Sequence, residues 1–150
     1  KKITLINGDL TDKDLLKRII SEENIQSIFH LGAQVEVGVA SKNPMSTWET
    51  NIRGTYNLLE AIRENLQKID SIVIASSDKA YGDYPKSKLP YKESYALKPK
   101  YFYDTSKACA DLIAKSYTES KKKLPIIITR FANIYGPGQL NFSGELLKTI

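Results

Sequence analysis

The sequence predicts an α/β fold built on a doubly wound parallel sheet, in the partial order βαβαβαβ. Three observations carry that prediction. Apolar runs rich in β-branched residues recur at residues 3–6, 25–31, 72–75 and 126–129, and continuous runs of this length suit strands buried on both faces. Segments with helical periodicity separate them, and such alternation calls for right-handed crossovers into one sheet. The 150 residues suffice for one domain and are too few for two ordinary ones.

Each element has its own signal. The run at 3–6 gives way at once to Asn7-Gly8-Asp9. Leu15, Leu16, Ile19 and Ile20 form one helical stripe, and Thr11 with Asp14 has the pattern of a capping box at its start. A second helix opens at Asn43-Pro44, with Asn as cap and Pro in the first turn, and continues through Trp48, Ile52, Tyr56, Leu59 and Ile62. A third runs from near Tyr101 to about Ser120 with Cys109, Leu112, Ile113 and Tyr117 on its apolar face. Residues 83–100 contain Pro85, Pro90 and Pro99 and are expected to lie over a site as a lid or wall.

Composition narrows the function classes. With 41% hydrophobic and 26% charged residues the chain has a globular balance. No apolar run approaches the roughly 20 residues that span a bilayer, which argues against membrane insertion. The opening Lys1-Lys2-Ile3-Thr4-Leu5-Ile6 is too short for a secretory signal, and the single cysteine, Cys109, fits a reducing compartment, so the cytoplasm is expected. The net charge of +5 is scattered apart from Lys121-Lys122-Lys123, where a helix should end and cations favour its carbonyl end. No nucleic-acid recognition motif accompanies it.

In doubly wound sheets ligands bind beyond the carboxyl ends of the strands. Those ends hold Asn7-Gly8-Asp9, Gly32-Ala33-Gln34, Ser76-Ser77-Asp78-Lys79 and Arg130-Phe131-Ala132-Asn133. Nearby, Tyr103 and Lys107 stand four positions apart at the start of a helix, so both project from one face. A free tyrosine ionises near pH 10, and a general base working near neutrality needs about 4 kcal/mol of help. A cation at about 6 Å supplies about 3 kcal/mol at an effective dielectric of about 20. Lys107 is therefore expected to make the Tyr103 phenol acidic. His30, the one histidine, suits a structural hydrogen bond and offers no metal-ligand set; Cys109 suits a small packing residue.

Five runs in order, His30-Leu31-Gly32-Ala33-Gln34, Glu49 to Thr55, Ser76-Ser77-Asp78-Lys79-Ala80-Tyr81-Gly82, Tyr103 to Lys107, and Arg130 to Gly138, resemble the successive signatures of the extended short-chain dehydrogenase/reductase family of nucleotide-sugar epimerases and dehydratases. The resemblance covers nearly the whole chain and implies a Rossmann-like fold, bound NAD and a nucleotide-sugar substrate. Ser77-Asp78-Lys79 and the run Gly138 to Ser143 lean toward the branch that dehydrates cytidine diphosphate-glucose. By this resemblance Asp9 bonds the adenine amine, Leu10 packs on its ring, and Leu31, Gly32, Ala33 and Gln34 bring backbone to the phosphates and ribose. Thr50 and Ser76 lie against the cofactor, Lys107 also bonds the nicotinamide ribose, and Asn133 contacts the sugar nucleotide. Tyr103 takes the proton from the sugar 4-hydroxyl, Ser77 holds the resulting carbonyl oxygen, and Asp78 and Lys79 serve as acid and base, in either order, for loss of water across C5 and C6.

None of the eight glycines forms the glycine-rich turn that cradles a pyrophosphate. The chain is therefore expected to be the central part of a single NAD-binding domain, inactive by itself, without the glycine-rich N-terminal unit and the C-terminal substrate domain. The resemblance also implies a homodimer through the helices at 44–65 and 101–120. The competing readings are an NAD-dependent 4-epimerase, a guanosine diphosphate-mannose-type dehydratase and a non-catalytic dinucleotide-binding module.

Overall fold

The computed structural model describes residues 3–65, 69–134 and 137. Within them three strands, β1 (Ser27–His30), β2 (Ser71–Ser77) and β3 (Ile126–Phe131), pair in parallel in the order β1-β2-β3. His30 stands beside Ile74, Ile74 beside Ile128, and Ser77 beside Phe131. Parallel pairing collects the three carboxyl ends on one edge. The helices are α1 (Lys13–Glu22), α2 (Val37–Lys42), α3 (Pro44–Trp48), α4 (Gly54–Glu64) and α5 (Phe102–Glu119).

Two expectations about the sheet are corrected. Residues 3–6 form no strand, because β character becomes a strand only with a partner and no ladder reaches them; Ile3 and Leu5 are 90% and 93% exposed. The sheet is also covered on one face rather than two among the described residues. Ile72 and Ile74 are buried and Ile28, Ile126 and Ile128 pack with them, whereas Phe29 and Ile127 on the other face are exposed. The core lies on the covered face, where Leu58, Leu59 and Ile62 of α4, Ala114 of α5 and Ile20 of α1 meet the strands. Burying such aliphatic side chains contributes about 1.5–3 kcal/mol each.

The helix caps refine the sequence pattern. Asp12, rather than Thr11, caps α1, its carboxylate accepting from Leu15 N at 2.9 Å. Thr11 instead gives its amide and hydroxyl to Asp9. Asn43 caps α3 as expected, accepting from Ser46 N at 3.1 Å. The helix that begins there is interrupted: Glu49–Arg53 is a π-helical segment before α4 resumes. The Thr55 hydroxyl takes the Asn51 carbonyl at 2.6 Å, a side-chain competitor for the backbone ladder at the widened turn. The widening shifts the helical phase, so Tyr56 is exposed while Leu58, Leu59, Ala61 and Ile62 are buried. The short helix α2 carries two valines and a glycine, poor helix formers that hid it in the sequence.

In α5 the buried stripe is Tyr103, Ser106, Lys107, Ala110, Asp111 and Ala114. The expected stripe is displaced: Leu112 is 57% exposed and Cys109, Ile113 and Tyr117 are half-buried. Small side chains let the helix approach the sheet closely, and closeness outweighs the hydrophobicity of Leu112.

His30 joins β1 to α4. Because the Thr55 hydroxyl proton is committed to Asn51, His30 Nε2 is the donor in their 2.9 Å bond. Burial, followed by the charge of Lys107, lowers the imidazole pKa to about 4. A depressed value gives stability that is full above the ordinary histidine value of about 6.5 and lost as pH falls through about 4. Unfolding free energy of the chain should drop by about 3 kcal/mol across that window. In His30→Gln, chemical denaturation at stepped pH should show this component gone; an unchanged slope would refute the assignment.

Gly82 adopts φ of +69°, and a Cβ there would sit 1.8 Å from the Lys98 carbonyl oxygen. Gly82→Ala should cost roughly 2–4 kcal/mol, measurable as a lowered melting temperature.

Candidate active site

The carboxyl end of β2 and the first two turns of α5 meet face to face. Lys107 Nζ donates to the Ala75 carbonyl at 2.9 Å, using one of its three protons. Tyr103, one turn earlier and 8% exposed, lies near enough to the Ser77 side chain for that hydroxyl to oppose the rise of its pKa. Ser77 also organises the turn after it. Its hydroxyl accepts from Lys79 N at 3.2 Å, capping a 3₁₀ turn over Asp78–Tyr81, and donates to Asp78 Oδ1 at 3.3 Å. Asp78 is half-buried and Lys79 exposed, so the catalytic candidates Ser77, Asp78, Lys79, Tyr103 and Lys107 share one edge of the sheet.

The electrostatics correct one expectation. Burial raises the Tyr103 phenol above its ordinary value; hydrogen bonding with Ser77 opposes this, and the Asp104 and Asp78 charges add to it. Burial lowers the Lys107 ammonium. Lys107 is not among the groups that shift the phenol. The lysine is bonded to a backbone carbonyl, and desolvation outweighs the attraction that spacing alone suggested.

The candidate cofactor residues spread from this point along the edge. Asp9 is exposed, and its Oδ1 accepts the Thr11 amide at 2.8 Å and hydroxyl at 2.7 Å, which lowers its carboxyl pKa. Leu10 is wedged against Gly32 and Gly54: a Cβ on either glycine would come within 2.8 Å of it. Gly32 is therefore small first for Leu10. Leu31 is 66% exposed, Ala33 and Thr50 are half-buried, and Gln34 N donates to Asn51 Oδ1 at 2.8 Å. Ser76 donates its hydroxyl to Asp111 Oδ2 at 3.2 Å. Asn133 is exposed just beyond β3; Tyr135, Gly136 and 138–143 lie outside the described residues.

Gly32, Ala33, Ser76 and Lys107 line an enclosed cavity of about 10 Å³. That is room for one water at most, so a dinucleotide would lie across the open edge. The donor set suits one. Asp9 keeps Oδ2 outside its bonds to Thr11, Leu10 offers an apolar surface beside Gly32, and Lys107 retains two protons beyond the one given to Ala75.

Sequence reasoning missed three organising residues. Asn51 bonds both Gln34 N and Gln34 O and donates to Ser106 Oγ at 2.9 Å, tying the turn after β1 to α5. Buried Asp111 and half-buried Arg130 form an ion pair beneath Ser76, with Arg130 Nε 2.7 Å from Asp111 Oδ2. An acid one turn past Lys107 and an arginine inside a strand were the available signals.

Comparison with known proteins finds relatives across nearly the whole chain. The family described as GDP-mannose 4,6 dehydratase matches residues 1–148. A dTDP-D-glucose 4,6-dehydratase of Dictyostelium discoideum is 36% identical over 141 residues, covering 88% of this chain and 32% of that protein. The chain thus spans about a third of that relative's length. A dTDP-glucose 4,6-dehydratase double mutant from Streptomyces venezuelae, solved with NAD and DAU bound, superimposes with a TM-score of 0.80 at 31% identity, covering 89% of this chain and 39% of its own. The RMD protein of Pseudomonas aeruginosa, complexed with NADPH, superimposes with a TM-score of 0.81 at 27% identity, covering 92% and 46%. No helix among the described residues is long and apolar enough to cross a membrane.

Proposed function

Because the chain belongs to the GDP-mannose 4,6-dehydratase family of NAD-dependent epimerases and dehydratases, we propose that the whole protein is a nucleotide-sugar 4,6-dehydratase, converting a nucleoside diphosphate-hexose to its 4-keto-6-deoxy form. One observation carries the reading: Ser77, Asp78 and Lys79 at the end of β2 stand against Tyr103 and Lys107 of α5. An epimerase needs the hydroxyl, phenol and lysine; a paired acid and base on the adjoining turn has work only if water is also removed.

Asp9 and Leu10 would hold the adenosine end of NAD, residues 31–34 its phosphates and ribose, Thr50 and Ser76 its flank, and Lys107 the nicotinamide ribose. Bound NAD supplies the acceptor for hydride from C4 and its return at C6. Tyr103 takes the proton of the 4-hydroxyl. The phenol first gives its own proton to solvent, and Lys107 stabilises the phenolate so formed by turning its ammonium from Ala75 toward the phenol oxygen. Ser77 releases Asp78 and donates to the C4 oxygen. The C4 ketone acidifies C5, and Asp78 and Lys79 between them remove the C5 proton and protonate the departing 6-hydroxyl as water; the base returns a proton to C5 when hydride is delivered to C6. Asn133 contacts the nucleotide sugar from the end of β3.

Ser77-Asp78-Lys79 supports cytidine diphosphate-glucose as the substrate, whereas similar curated proteins carry dTDP- and UDP-glucose in their names. Exposed Tyr56 on α4 and Leu112 on α5 support a homodimer through these helices, and the free Cys109 supports a cytoplasmic setting.

Whole protein given cytidine, thymidine or uridine diphosphate-glucose deuterated at C4 should yield a product lighter by one water, with the label at C6, most rapidly from the cytidine substrate. A product of unchanged mass would identify an epimerase. Tyr103→Phe should lower kcat about 10²–10⁴-fold, and undiminished turnover would exclude this role.

A further inference from the structure

The turn that carries Asp78 and Lys79 is fastened at both ends. Ser77 caps its start. Its last residue, Tyr81, is 5% exposed and receives a hydrogen bond on its hydroxyl from Arg130 Nη1 at 2.7 Å. The guanidinium also lies 4.8 Å from the Tyr81 ring centroid. Arg130 is itself locked. Nε and Nη2 grip the two Asp111 oxygens at 2.7 and 3.0 Å, a bidentate geometry that fixes the plane of the fork. Asp111 is 1% exposed and sits one turn past Lys107.

The same arginine reaches the following segment, where Nη1 also donates to the Glu93 carbonyl at 3.4 Å. Tyr81 stacks on Tyr91 with ring centroids 4.9 Å apart, and the Tyr91 hydroxyl returns to the Gly82 carbonyl at 3.0 Å. Tyr81 thus passes the position of the α5–β3 ion pair to the acid and base that precede it in the turn.

We propose that Arg130, held by Asp111, is a positioning residue for the elimination step, fixing through the Tyr81 hydroxyl the turn that presents Asp78 and Lys79. The inference rests on the dehydratase reading of the same site. It separates two parts of that site. Tyr103, Lys107 and Ser77 are placed by α5 and β2 directly, so loosening the Tyr81 tether leaves oxidation at C4 in place and slows removal of the C5 proton.

Tyr81→Phe in the whole protein tests this with little risk to folding, because the ring keeps its stack on Tyr91 and loses only the hydroxyl. We expect kcat to fall about tenfold with KM within about threefold. The kinetic isotope effect on kcat from C5-deuterated substrate should grow and that from C4-deuterated substrate should shrink. The melting temperature should stay within about 4 °C of the parent. Unchanged kcat, or a fall in kcat with both isotope effects unaltered, would overturn the proposal. Parent protein that releases no product lighter by one water would instead sink the dehydratase reading on which it rests, a result distinct from a normal parent with an unaffected variant.

Discussion

A carboxylate buried on a helix must find a cation or lose its charge, and Asp111 finds Arg130 across the gap between α5 and β3. Such a pair recovers much of its desolvation cost only when the geometry is good, so it is a modest source of net stability and a strong source of register. Here both guanidinium contacts are short. Sliding α5 by one residue against the sheet would separate them and leave a charge buried alone, the outcome most costly to a fold. The positions of Lys107 and Tyr103, on the same helix face, follow from that register.

The rest of the interface obeys the same rule. Ser106, Ala110 and Ala114 keep α5 close to the sheet, and close approach buries polar atoms that must be satisfied. Ser106 donates to the Tyr103 carbonyl and accepts from Asn51, Ser76 donates to Asp111, and Lys107 donates to Ala75. Among the described residues no buried side-chain nitrogen or oxygen lacks a partner. Asn51 extends this network to Gln34, so the turn after β1 and the start of α5 are positioned by one side chain. A fully satisfied network of this kind admits few alternative arrangements, which suits a site whose groups must meet within tenths of an ångström.

What could be read from the sequence was whatever depends on local pattern. The β-branched runs at 72–75 and 126–129 became β2 and β3, and Asn43-Pro44 marked a true helix start. The residues gathered at the end of β2 were likewise legible, because parallel strands send their carboxyl ends to one edge. Features that depend on a distant partner were not. Residues 3–6 have strand composition and, among the described residues, no strand beside them. Leu112 outranks Ala110 in hydrophobicity, yet Ala110 is buried because it is small. The π segment arises where Thr55 competes for the Asn51 carbonyl, and Ser76 turns inward because Asp111 waits beneath it; neither contact leaves a trace in spacing.

The phenol and the lysine show the same limit at the level of energy. Counting positions along a helix predicts that Tyr103 and Lys107 are neighbours, and Coulomb's law then predicts an acidic phenol. The structure keeps them on one buried face and reverses the sign, since the face that brings them together also removes water from both. Desolvation raises an acid that ionises to an anion and lowers a base that carries a cation, so one cause pushes the two proton affinities toward each other. A phenolate beside an ammonium is far less costly than either alone, and the ammonium is engaged with the Ala75 carbonyl instead. The acidity of Tyr103 is therefore not a property of the sequence or of the resting fold, but of whichever arrangement brings positive charge onto the phenol oxygen.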